Sequence, residues 1–158
     1  MRFLHRCVTF LLTVFAASVQ LLMPSYANVS PSCAPDDARK AEAGASSLRT
    51  WQQIFNSYQR YRKCDDGAIS EGYSSAVASL LAAHWDQNQD LLSLVKAHPE
   101  FERFVVRHLD DTMTQDQDVQ IQNNVQRACP KQAAHFCAAV KRRFSELNSD
   151  QEHPRHPE

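Results

Sequence analysis

His84, His98, His108 and His135 are the side chains best suited to proton transfer near neutral pH, where an unperturbed imidazole titrates. A histidine acting as a general base needs a nucleophile within reach and a group that orients the ring. The spacing supplies neither. His84 falls in the apolar phase of a helix and reads as a hydrogen-bond donor in the core. His98 precedes Pro99 and reads as a helix cap. His108 and His135 fall on different helices, with no H-E-x-x-H or comparable ligand spacing. His153 and His156, in the polar C-terminal stretch, would hold a transition metal only loosely.

Carboxylates are the other candidates. Asp65, Asp66 and Glu71 cluster in Cys64-Asp65-Asp66-Gly67-Ala68-Ile69-Ser70-Glu71-Gly72-Tyr73, and paired carboxylates can do acid–base work. Capping accounts for both aspartates, which stand where a helix begins and its backbone N–H groups and dipole favour an acceptor. The chain has no G-x-S-x-G, no phosphate-binding glycine loop and no C-x-x-C-H. No catalytic, cofactor-binding or metal-binding residue is therefore expected, because base, nucleophile and stabilising group never come together.

The elements that would position these residues are helices. From Ile69 the apolar positions Ile69, Tyr73, Val77, Leu80 and Leu81, with His84 and Trp85, follow a helical period. Beside them run the small residues Gly72, Ala76, Ser79 and Ala83, where a neighbouring helix can approach closely. Gly67 permits a tight turn at the entry. A central helix over 66–88 follows. Before it, 28–46 reads as an arm with at most a helical turn at 36–43, and a helix covers 47–63. After it come a short segment at 91–95, a helix over 99–109 opened by Pro99, and one over 115–128 capped by Thr114 and Gln117. The last helix spans 130–147. Nothing alternates with the period of a strand. The fold class expected is all-α, an irregular or orthogonal bundle of about five to six helices within 47–147, with 148–158 as a disordered tail.

Residues 1–27 read as a secretory signal peptide. Arg2 and Arg6 precede an apolar run, and Ser25-Tyr26-Ala27 suits cleavage after Ala27. The mature chain would be periplasmic, without membrane insertion. Loss of Arg2 and Arg6 takes 17 basic residues to 15 against 18 acidic ones, a net charge of −3. That balance, with no basic stripe, argues against nucleic acid as a partner. Cys33, Cys64, Cys129 and Cys137 remain, an even set best read as two disulfides with three possible pairings. Cys129 and Cys137 would lie about 12 Å apart on one continuous helix, too far to bridge unless the chain bends between them. The apolar position of Cys137 favours Cys64–Cys137, leaving Cys33–Cys129. Both disulfides would staple the bundle.

What remains is binding. Trp51, Tyr58, Tyr61, Tyr73 and Trp85 gather around the junction and fit inward helical phases, so they read as core before they read as a partner groove. Asp110, Asp111 and Thr112, with Asp116 and Asp118, form a polar, acidic loop and helix start that can be presented to a protein partner. Complementing the dipole of the following helix accounts for part of that charge.

With its leader, its helical pattern and its cysteines, the chain resembles the small exported immunity proteins of type VI secretion that neutralise peptidoglycan amidase effectors. The likeness covers about residues 47–144 and is carried by Cys64-Asp65-Asp66-Gly67, Glu71-Gly72-Tyr73, Cys129-Pro130 and Cys137. It implies a homodimer that binds a secreted cell-wall hydrolase and blocks its catalytic groove with a protruding loop, for which 110–118 is the candidate. Two other roles fit the same features: a structural or chaperone-like periplasmic adaptor, and a metal carrier using the histidines.

Overall fold

A computed structural model describes residues 32–152. Seven α-helices stand among them: α1 Pro35–Ala45, α2 Trp51–Tyr61, α3 Gly67–Ala83, α4 Asn88–Ala97, α5 Pro99–Arg107, α6 Gln115–Arg127 and α7 Ala134–Glu152. Two 3-10 turns, Trp85–Gln87 and Lys131–Ala133, precede α4 and α7. The described chain is all-α and stapled by two disulfides. No helix among the described residues is long and apolar enough to cross a membrane. The expected leader, 1–27, lies outside them.

Local chemistry explains most boundaries. Thr50 accepts a hydrogen bond from the Gln53 N–H at 3.2 Å and starts α2. Asp66 accepts from the Gly67 N–H at 2.8 Å and starts α3, where Gly67 has φ +50°, a conformation that costs glycine little. Pro35 and Pro99 open α1 and α5 at positions that need no N–H. Thr114 and Gln117 form the reciprocal box that starts α6.

Helix α3 is the element the others are built around. Ile69, Tyr73, Ser74, Ala76, Val77, Ala78, Leu80 and Leu81 are all buried, so it is covered on more than one side. Helices α1, α2 and α6 pack on it. Gly72 is the close approach to α1: a Cβ there would stand 2.6 Å from the Ala45 Cβ. The small-residue line is half used, with Gly72 and Ala76 facing neighbours while Ser79 and Ala83 are exposed. On another side, Asn124 of α6 donates to the Leu81 and Ala82 carbonyls at 2.8 and 3.1 Å. These carbonyls belong to the last turn of α3, where no intrahelical donor remains.

Four expectations are corrected. The arm is a full helix: α1 buries Ala41 and Ala45 against the core. The central helix stops at Ala83, so His84 is exposed and is no core donor. Trp85 then lies in a 3-10 turn and donates to the Ala128 carbonyl at 3.1 Å. The cysteines pair as Cys33–Cys64 and Cys129–Cys137, not as Cys64–Cys137 and Cys33–Cys129. Pro130 is extended and a 3-10 turn follows, so the chain bends and brings the Cys129 and Cys137 Cα atoms to 6.4 Å. Finally, α7 continues through 148–152 where a tail was expected. Residues 153–158, with His153 and His156, lie outside the described part.

Candidate functional site

Two linked arrangements gather the polar residues at the end of α5. The first is buried. His108 follows Phe101 and Phe104 in helical phase and is 1% exposed. Its Nδ1 lies 2.8 Å from the Phe104 carbonyl oxygen, and its Nε2 lies 3.0 Å from Asp65 Oδ1. The Phe104 carbonyl oxygen only accepts, so Nδ1 donates to it, and Nε2 is left facing the Asp65 carboxylate. Arg107 pairs with the other Asp65 oxygen. The imidazole also packs against Phe104 at 4.2 Å and Tyr73 at 5.6 Å between centroids. Tyr73 in turn shares a 2.8 Å hydrogen bond with Ser57 of α2.

Burial alone pushes the Asp65 carboxyl up. The hydrogen bonds and charges of His108 and Arg107 together outweigh it and hold the carboxyl below its ordinary range. Tyr73 moves the other way: burial raises its phenol, helped by the Asp65 charge, and the Ser57 hydrogen bond only partly offsets this.

This cluster contains a serine, a histidine and an aspartate, but it is not a catalytic relay. Ser70 Oγ stands 3.4 Å from Nε2, the same nitrogen that meets Asp65. A relay needs the carboxylate on one ring nitrogen and the nucleophile on the other. The ring is also closed off from solvent. The cluster locks the α2–α3 junction to the end of α5.

The second arrangement is the acidic loop. Asp110 Oδ2 accepts from Ser74 Oγ of α3 at 2.6 Å. Asp110 Oδ1 accepts from the Thr112 N–H at 3.0 Å and the Thr112 hydroxyl at 2.5 Å. Arg143 of α7 donates from Nε to the Leu109 carbonyl at 2.8 Å. The loop is thus held from α3, from α7 and by its own turn. Burial pushes the Asp110 carboxyl up, but the Ser74 and Thr112 hydrogen bonds and the His108 charge bring it below its ordinary range.

The five loop residues singled out from sequence therefore divide. Asp110 is half-buried and serves as the anchor. Asp111 and Thr112 are exposed at the tip. Asp116 and Asp118 lie in the first turn of α6, with Asp118 bonded to Gln122. Asp110, Asp111 and Asp118 line a recess of about 320 Å³ with Met113 and Leu147. Asp116 does not reach it.

Asp66 is the cap its position suggested, but Asp65 is not: it turns into the His108 cluster. His98 stands before α5 without a capping bond and packs on Phe55 at 4.6 Å. His135 pairs with Glu102 at 3.0 Å on the surface. Among the described residues no group of three or more His, Cys, Asp or Glu side chains could hold a metal ion. Trp51, Tyr58 and Tyr73 are core, while Tyr61 and Trp85 are half-buried. His108, weighed from sequence only for ligand spacing, is instead the buried partner of Asp65. Its phase with Phe101 and Phe104 was the signal that it points inward.

Comparison with family models, curated proteins and solved structures finds no match to this chain.

Proposed function

We propose that the chain is an exported, periplasmic binding protein that neutralises a secreted cell-wall-degrading effector, a peptidoglycan amidase being the expected class, by occluding its active site. The observation that carries this reading is the acidic loop at 110–114. It is fixed to α3 through Ser74 and to α7 through Arg143, yet leaves Asp111 and Thr112 exposed. A loop ordered before binding loses less conformational entropy on docking than a free one. Its charge suits a basic or donor-rich groove. Two disulfides fit an oxidising compartment. The amidase class rests on the resemblance in sequence.

Co-expression with the periplasmically directed product of a neighbouring gene tests the reading. Protection from toxicity and co-purification are expected. Protection should be lost with Asp111→Lys and Thr112→Lys while Tm is unchanged. Absence of both protection and co-purification would remove the proposal.

A further inference from the structure

A second surface has the reverse charge. Arg103 and Arg107 of α5 and Arg142 and Arg143 of α7 surround a recess of about 300 Å³ floored by Val106 and Ala139. Four arginines on one recess are unexpected in a chain whose formal charge is −1. Two of them are positioned in advance. Arg107 is paired with Asp65 and lies 5.8 Å from the Phe104 ring centroid, yet its side chain is 64% exposed. Arg143 is held by the Leu109 carbonyl and approaches Glu146 at 3.8 Å. Arg142 is 72% exposed and only 4.0 Å from the same Glu146. Guanidinium groups fixed in this way keep donors free for a carboxylate and lose little freedom when they meet one.

We propose that this α5–α7 recess is a docking surface for an acidic, amphipathic segment of a partner protein, one that places an apolar side chain on Val106 and Ala139 and carboxylates against the arginines. Charge complementarity selects this occupant. Glu102 and Glu146 also line the recess, so its local charge is four positive against two negative. That net charge is matched by one or two carboxylates, and the two glutamates weaken its pull on a polyphosphate chain or an anionic bilayer. The apolar floor would stay wet under a purely ionic ligand and is covered by an aliphatic side chain. The surface adjoins the acidic loop through Arg143 but does not include Asp111 or Thr112, and its occupant need not be the effector.

The test uses the full mature protein and a synthetic amphipathic helix with glutamates flanking a leucine stripe, followed by fluorescence anisotropy at low and high salt. Saturable binding that weakens with salt is expected. Arg103→Glu and Arg142→Glu, both at exposed positions, should each weaken it about tenfold or more, whereas Asp111→Lys should leave it unchanged. Tm measured on every variant shows that the fold is intact. Equal binding by a leucine-free glutamate peptide would overturn the proposal, because the apolar floor would then play no part. Binding to phosphatidylglycerol vesicles without binding to the peptide would overturn it in favour of a membrane surface. Affinity insensitive to both arginine substitutions would also overturn it.

Discussion

Asp65 shows how far one residue can depart from its local role. Two aspartates before a helix read as caps, and Asp66 is one. Asp65 instead accepts from a histidine forty-three positions later, a contact no local spacing reveals. With its side chain 4% exposed, its removal leaves the buried His108 ring and the Arg107 guanidinium without their carboxylate partner. Asp65→Ala should therefore cost about 3 kcal/mol in urea denaturation; a loss below about 0.5 kcal/mol would show that the cluster is not a lock. Asp65 and Asp110 both have folded-state carboxyls below their ordinary range. The folded chain then binds fewer protons than the unfolded chain, so their stabilisation is complete above about pH 5. It is lost as pH falls through about 4 towards the folded values. Urea midpoints measured from pH 6 to pH 3 should drop mainly below about pH 4, and Asp65→Asn should flatten that drop. An unchanged slope in the variant would contradict the assignment.

Helices were legible wherever a period and a cap coincided. Thr114 with Gln117, Pro99 and the apolar line from Ile69 each marked an element that is present, whereas the helix expected from 47 begins only at Trp51, after its Thr50 cap. Helix α1 was not legible, because its contribution is made by Ala41 and Ala45, which add little to a hydrophobic period. Its place depends on Gly72. Gly72→Ala would put a methyl group 2.6 Å from the Ala45 Cβ, and moving α1 away should cost about 1–3 kcal/mol. Gly44, inside α1 with open space around its Cβ position, is the control. Gly44→Ala should stabilise by up to about 1 kcal/mol. Equal effects at the two glycines in thermal melts would contradict the close approach. The two disulfides were legible but their pairing was not: a straight helix through Cys129 and Cys137 was the premise, and Pro130 with the 3-10 turn removes it. Cys33–Cys64 spans 31 residues and Cys129–Cys137 spans 8. Loop entropy gives about 3.7 and about 2.5 kcal/mol for them. Double Cys→Ser replacement should therefore lower the urea midpoint more for the first pair, and the reverse order would show that chain entropy does not govern these staples.

For the molecule as a whole, two surfaces of opposite charge matter more than the net value. One is the exposed tip at Asp111 and Thr112, held by the half-buried Asp110 on buried Ser74 and by half-buried Arg143. The other is the arginine recess between α5 and α7. The loop could be found from sequence by its polar run. Its rigidity could not, because the bonds that fix it come from helices about 35 positions away on either side. The most direct test is calorimetric titration of the proposed effector, a cell-wall hydrolase encoded by a neighbouring gene, with wild-type protein and with Asp111→Lys. The account predicts tight binding by the wild type and at least about tenfold weaker binding by the variant, at unchanged Tm. No heat of binding with the wild type, or equal affinity for both proteins, would contradict it.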